Sequence, residues 1–268
     1  MDSMTDTTED TRVHRSVSQK KQYERCAYSY QLDRLEKVWS RPAAWLAQGT
    51  AVHAAAEMWE KTGRTGDLDD VLDVFDSVYQ REIEESLEVA PMGEWFGSGP
   101  YGPETDIERR YGIGRDQVYK YMSYYTNHPE EVIWISQDGT PGIEIGFDID
   151  LDGILVRGYI DTVINLNNEE VIVRDIKTGN LPGDDFQLGV YGLALGMQFG
   201  MIAIEHGDYW MAKTGKPTRP YLISEWTKER VTEEFVMLEE AIVRGDFPPN
   251  PGSNCRVCSV SHACQYAI

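Results

Sequence analysis

Val171-Ile172-Val173-Arg174-Asp175-Ile176-Lys177-Thr178-Gly179 is an apolar run that ends in an acid, one intervening residue and a lysine. It reads as a strand over residues 170–177. Side chains alternate along a strand, so Asp175 and Lys177 share a face. Fourteen residues before Asp175, a second apolar run ends in Gly158-Tyr159-Ile160-Asp161. A carboxylate and an ammonium side by side at a strand end can hold a metal ion and handle a water molecule. That chemistry suits hydrolysis of a phosphodiester.

Further strands are expected over residues 132–136, 143–151 and 154–166. Asp152-Gly153, between alternating flanks, is a strong two-residue hairpin signal. Residues 165–169 read as a second turn. A hairpin centred near Asn167 and Asn168 puts Asp161 roughly opposite Arg174 and Asp175, so local pairing alone gathers two acids. Downstream, residues 184–200 read as a helix, 202–211 and 219–226 as strands, and 227–244 as the last long helix. Upstream, helices are expected over 16–38, 51–61 with Thr50 as N-cap, and 67–88 with one apolar stripe. Residues 91–103, with four glycines and three prolines, read as a loop. A helix over 105–127, interrupted near Gly112 and Gly114, follows. The layout is an α/β chain with three parts: a helical segment (16–130), a strand-rich core (131–226) and a closing segment (227–268).

No apolar run approaches the roughly 20 residues of a membrane helix. Residues 1–15 are polar, lack a secretory core, and read as a frayed disordered tail. A cytoplasmic protein is expected. The formal net charge of −20 argues against broad, nonspecific coating of nucleic acid. It leaves room for a local basic groove and for metal ions that attract phosphate.

The four cysteines are Cys26, Cys255, Cys258 and Cys264; three form C-x2-C-x5-C near the C-terminus. Four thiolates with none spare is the ligand count of an all-cysteine metal site. Two disulfides are the alternative, but the chain has no export signal and cysteines three apart are badly placed for one. Zinc sites with four cysteines come as two short-spaced pairs, whereas here one ligand arrives alone. That spacing favours an iron–sulfur cubane, which would tie the first helix to the last segment.

An isolated D-x-K is ordinarily a surface salt bridge. Apolar sequence leading into both Asp161 and Asp175 instead places them at the edge of a buried sheet, as a metal site. Hard oxygen ligands suit Mg2+ or Mn2+. His53 and Glu57 share one helical face, and His53 can complete the metal shell or simply pack. Gln187 and Tyr191, also on one helical face, can touch the phosphate or orient the lysine. Glu144 can face the site or the solvent. The seven Trp and fifteen Tyr offer base-stacking surfaces, though most belong in the core.

Together these residues resemble the PD-(D/E)XK nuclease superfamily in its RecB-like branch. They come closest in layout to small iron–sulfur exonucleases such as the Cas-four-type CRISPR-associated nuclease and its phage relatives. G-x3-H-x3-E matches Gly49, His53 and Glu57; G-x-I-D matches Gly158 to Asp161; D-x-K-T-G matches Asp175 to Gly179; Q-x3-Y matches Gln187 and Tyr191. The split cysteine frame matches as well. The resemblance covers most of residues 16–268. It implies a restriction-endonuclease-like core with a mixed central sheet flanked by helices, its N- and C-terminal segments joined by a structural 4Fe–4S cluster. It also implies metal ligation by His53, Asp161, Asp175 and the Ile176 carbonyl, with Lys177 as catalytic lysine and Gln187 and Tyr191 in support. The expected activity is a Mg2+- or Mn2+-dependent DNA exonuclease acting on single-stranded ends, in the cytosol of a bacterium or a phage-infected host. No helicase P-loop is present, so unwinding needs a helicase or recombination partner. The alternatives are a weakly active adaptor in a recombination, phage or CRISPR-adaptation complex, and a structural zinc protein.

Overall fold

In the computed structural model, which describes residues 13–167, 170–200 and 204–268, a mixed sheet is built around one long strand. The strands are β1 (His14–Arg15), β2 (Glu131–Ile133), β3 (Ile143–Leu151), β4 (Ile154–Leu166), β5 (Glu170–Lys177), β6 (His206–Met211), β7 (Lys216–Pro217) and β8 (Tyr221–Leu222). Strand β4 pairs antiparallel with β2, β3 and β5 and parallel with β1. Strand β5 pairs parallel with β6, whose other partners are the antiparallel β7 and β8. The three strands expected over 143–151, 154–166 and 170–177 form with those bounds. Asp152 (φ 55°) and Gly153 (φ 98°) both adopt the left-handed conformation that a type I′ hairpin turn demands. At the second turn Asn167 has φ 52°; Asn168 and Glu169 lie outside the described residues.

The helices are α1 (Val17–Arg25), α2 (Ala27–Tyr30), α3 (Ala44–Lys61), α4 (Leu68–Val89), α5 (Pro103–Asn127), α6 (Phe186–Phe199) and α7 (Lys228–Val243). Helices α3, α4 and α5 cover one face of the sheet, burying Ile164, Ile172, Ile176 and Trp210. Helices α6 and α7 cover the other over Val163, Val173 and Tyr209. Strand β5 is therefore apolar on both faces, which is why it reads as a continuous hydrophobic run. Helix α4 starts where Asp67 Oδ1 accepts a hydrogen bond from the Asp70 amide (2.9 Å), and it buries Val71, Leu72, Phe75 and Tyr79.

Several expectations change. The helix over 16–38 is broken at Cys26, which is extended (φ −167°) and stands between α1 and α2; a π-helical turn, Gln31–Leu35, follows. Thr50 is no N-cap: α3 begins at Ala44, and the Thr50 hydroxyl donates to the Leu46 carbonyl from within it. Helix α5 runs unbroken through Gly112 and Gly114, because Gly114 is a contact point. A Cβ there would stand 2.3 Å from Phe75 Cζ. The strand over 219–226 shrinks to Tyr221–Leu222, and that over 132–136 to Glu131–Ile133 with a single bridge at Ile135. The strand over 202–211 starts at His206; Ile202 and Ala203 lie outside the described residues. Of the tail expected over 1–15, residues 1–12 lie outside the described residues, and His14 and Arg15 instead pair with Leu155 and Val156. No helix among the described residues is long and apolar enough to cross a membrane.

Candidate active site

The sheet opens where the two acid-bearing strands meet. Pairing of β4 with β5 stops at Thr162–Arg174, and pairing of β3 with β4 skips the step at Glu144 and Asp161. Ile160 and Val163 both enter the core beneath α6 and α7 although they are three apart, so the alternation of faces slips between them. Glu144 carries the cost on β3, with φ 46° in the left-handed region that side chains rarely adopt. This local break frees Asp161 from the ladder and brings Glu144 to one side of it and the end of β5 to the other. The Ile176 amide donates to Asp161 Oδ2 (2.7 Å), a side chain standing where the next strand would have been.

Helix α3 reaches the same opening with His53. Its Nδ1 lies 3.6 Å from Asp161 Oδ2 and 3.8 Å from Glu144 Oε1. Its Nε2 lies 3.1 Å from the Ile176 carbonyl, which can only accept, so Nε2 carries the hydrogen and Nδ1 is the atom facing the carboxylates. Among the described residues, His53, Glu144 and Asp161 form the one group of three potential ligands whose ligand atoms all lie within 4.8 Å of one another. Glu57 turns instead to Lys61.

The D-x-K pair faces α6. Lys177 Nζ lies 2.7 Å from Asp175 Oδ2 and donates to Gln187 Oε1 (3.0 Å). Gln187 Nε2 donates to Asp175 Oδ1 and to the Tyr191 hydroxyl, both at 2.7 Å. One glutamine amide thus fixes the acid, the lysine and the tyrosine together. Behind the site, on the opposite face of β5, the buried Arg174 guanidinium donates to both Asp208 oxygens (2.7 and 2.8 Å), to Tyr125 (3.0 Å) and to Glu131. Position 158 has no room for a side chain: a Cβ would meet Phe147 at 2.7 Å.

Crowded carboxylates shape the proton affinities. Burial, and then the Asp161 charge, push Asp175 up to about 6, despite the opposing pull of Lys177. Burial raises Asp161 too, with His53 opposing it and Glu144 reinforcing it. Burial would lower the His53 imidazole, but Asp161, Glu144 and Asp175 outweigh it and raise it to about 9. Buried anions next to a partly open histidine favour a cation between them.

A family model for the PD-(D/E)XK nuclease superfamily matches residues 14–265. The chain belongs to that superfamily. Two mycobacteriophage proteins, both named Gene 69 protein, are similar along nearly their whole length. The one from phage D29 is 49% identical over 259 residues, covering 93% of this chain and 96% of that protein. The one from phage L5 is 45% identical over 278 residues, covering 93% and 95%. The crystal structure of a "Putative exonuclease" from Eubacterium rectale superposes with a TM-score of 0.45 at 12% identity, covering 86% of this chain and 79% of that one. In this PD-(D/E)XK chain Asp161, Asp175 and Lys177 stand together at the opened sheet edge.

The four cysteines meet at a cavity that none of these site residues lines. Cys26, at the break between α1 and α2, lines one cavity with Cys255, Cys258 and Cys264, and none of the four is in a disulfide. The Asn250 amide donates to Cys26 Sγ (3.4 Å), and the Asn250 side chain donates to the Arg25 carbonyl (2.9 Å). Burial pushes the Cys258 thiol up. Of the residues left undecided by sequence, Glu144 proves to be at the site. Sequence pattern left it undecided because its backbone, at φ 46°, departs from the alternation of the strand.

Proposed function

We propose that the protein is a divalent-metal-dependent deoxyribonuclease that digests DNA from single-stranded ends, and that its cysteines hold a structural 4Fe–4S cluster. The observation that carries the reading is the His53, Glu144 and Asp161 group beside the Asp175–Lys177–Gln187 chain of hydrogen bonds. The donor set, oxygens plus one imidazole, fits Mn2+ or Mg2+. Asp175 Oδ2 is buried with no hydrogen-bond partner, meeting only the Lys177 charge, so it has a lone pair to offer. The Ile176 carbonyl, engaged by His53 through one lone pair, has a second.

His53, Asp161, Asp175 and the Ile176 carbonyl would hold the ion, with Glu144 as a further oxygen ligand. When bound, the ion supplies Lewis acidity toward phosphate and a more acidic water. The chain supplies the rest. Lys177, aimed by Asp175 and Gln187, presents its ammonium to a phosphate oxygen and orients the attacking water. Water forms one P–O bond as another P–O bond breaks. Tyr191 keeps Gln187 from rotating away, so the lysine does not need to be ordered during reaction.

For the cysteines, four free thiols around one cavity match the ligand count of an all-cysteine metal centre. The cluster would join the break after α1 to the C-terminal turns.

The test is a time course with Mn2+ on 5′- and 3′-labelled strands, using protein purified anaerobically. Wild type should shorten the strands, while Asp175→Ala and Lys177→Ala should not, with visible iron–sulfur absorbance equal in all three. Undiminished digestion by either variant refutes the assignment. No digestion by wild type would favour the adaptor reading.

A further inference from the structure

The outer face of the β3–β4 hairpin continues outward from the Glu144–Asp161 step. Ile145, Phe147, Ile149, Val156 and Ile160 enter the core under α6 and α7. The residues between them therefore turn the other way, putting Gly146 on β3 and Arg157 and Tyr159 on β4 on the outer face of the hairpin. Tyr159 is 61% exposed, a large ring left in water two residues from a candidate metal ligand. On an extended strand that spacing is roughly 7 Å.

The ring is held from one side. Gly146 is its cross-strand partner, and a Cβ there would come within 3.2 Å of Tyr159 Cε1, so the ring lies across bare backbone. It lines an open cavity of about 590 Å³ together with Arg157, Asp148 and Asp150, bordered by Met197 and Gln198 of α6. Pockets that hold small organic molecules span roughly 300–1,000 Å³, so one nucleotide fits. Arg157 is paired with Asp148 (2.8 Å) and Asp150 also lines the cavity, so its lining carries no net positive charge. With a net charge of −20 on the chain, phosphate attraction is a poor source of affinity. Stacking on an aromatic face is indifferent to that charge and to base identity.

We propose that Tyr159 is the platform on which the base next to the scissile phosphate stacks, so that the site selects unpaired strands. The proposal rests on the nuclease reading above. In a duplex the bases are already stacked on one another and their faces are closed to the ring, whereas a single strand can lay a base down. Tyr159 is a substrate-positioning residue here, two strand positions from Asp161.

The experiment compares wild type, Tyr159→Ala and Tyr159→Phe. Binding of a labelled single strand is followed by anisotropy in EDTA, and KM and kcat are measured with Mn2+. Tyr159→Ala should raise Kd and KM about tenfold, leave kcat within about twofold, and leave the salt dependence of Kd unchanged. Tyr159→Phe should behave as wild type, since it keeps the ring. Melting curves and circular dichroism establish that both variants are folded. If wild type cleaves and Tyr159→Ala binds and cleaves with unaltered Kd and KM, the platform is refuted while the nuclease reading stands. If wild type binds strands in a Tyr159-dependent way but never cleaves, the nuclease reading fails and the platform survives. If wild type neither binds nor cleaves, both fall.

Discussion

Asp175→Asn should stabilise the metal-free protein at neutral pH while removing its activity. Asp175 is 2% exposed, and its carboxyl is held at about 6 against an ordinary 3.8 by burial and by Asp161. At about 1.4 kcal/mol for each factor of ten in proton affinity, keeping it ionised at pH 7 costs the folded state roughly 3 kcal/mol. Asparagine removes that cost and still accepts from Gln187; the attraction of Lys177 is already counted in it. The net gain expected is about 2–3 kcal/mol, or roughly 4–10 °C in Tm for a chain of this size. The sign with pH follows from the raised proton affinity. The carboxyl's contribution is intact below 3.8 and is lost as pH rises through about 6. His53, raised from 6.5 to about 9, adds a second loss in the same direction over that interval. Thermal melts of both proteins in EDTA from pH 4.5 to 9 test this. The gap between variant and wild type should be small at pH 4.5 and open by pH 7. Adding Mn2+ should then raise the wild-type Tm and leave the variant's nearly unmoved. A variant that melts at or below wild type at pH 7.5 in EDTA would refute the reasoning, as would a gap independent of pH.

Gln187→Ala should lower kcat by about 10- to 100-fold with little change in KM, because Lys177 and Asp175 lose their common partner while substrate contacts remain; steady-state kinetics on single strands would measure it. Cys258→Ser should lose the visible absorbance of anaerobically prepared protein and lower its Tm, and limited proteolysis should show the segment after α7 becoming cleavable. Asp208→Ala should destabilise the fold by about 3–5 kcal/mol in urea titration, because it leaves the buried Arg174 guanidinium with one carboxylate instead of two. An effect under about 1 kcal/mol would mean that Glu131 alone neutralises it.

What was legible in the sequence is whatever local pairing settles. Asp152-Gly153 demands a hairpin, so the two runs flanking it must pair, and the short turn after Leu166 brings the Asp161 end of β4 back beside Asp175. Helical spacing put Gln187 and Tyr191 on one face of α6, where they now share a hydrogen bond. Counting thiols marked four cysteines that do line one cavity. Glu144 was not legible, because its side chain reaches the site only through a positive φ at a skipped ladder step, and neither leaves a mark in composition or periodicity. Nor was the break at Cys26, where aromatic spacing continues smoothly although the backbone turns extended to present the sulfur to a segment more than two hundred residues away.

Arg174 shows the same division within one strand. Its place in the run implied nothing of the buried network with Asp208, Glu131 and Tyr125, whose members come from three other elements. By itself the sequence determined that Asp175 and Lys177 share a strand end and that Asp161 returns to it, because alternation and turn chemistry act over a few residues. Tertiary structure alone decided that His53 and Glu144 join them and that Tyr159 stands open beside them. Those positions follow from how α3 packs on the sheet and where the ladder parts, and such choices are made between elements distant in sequence.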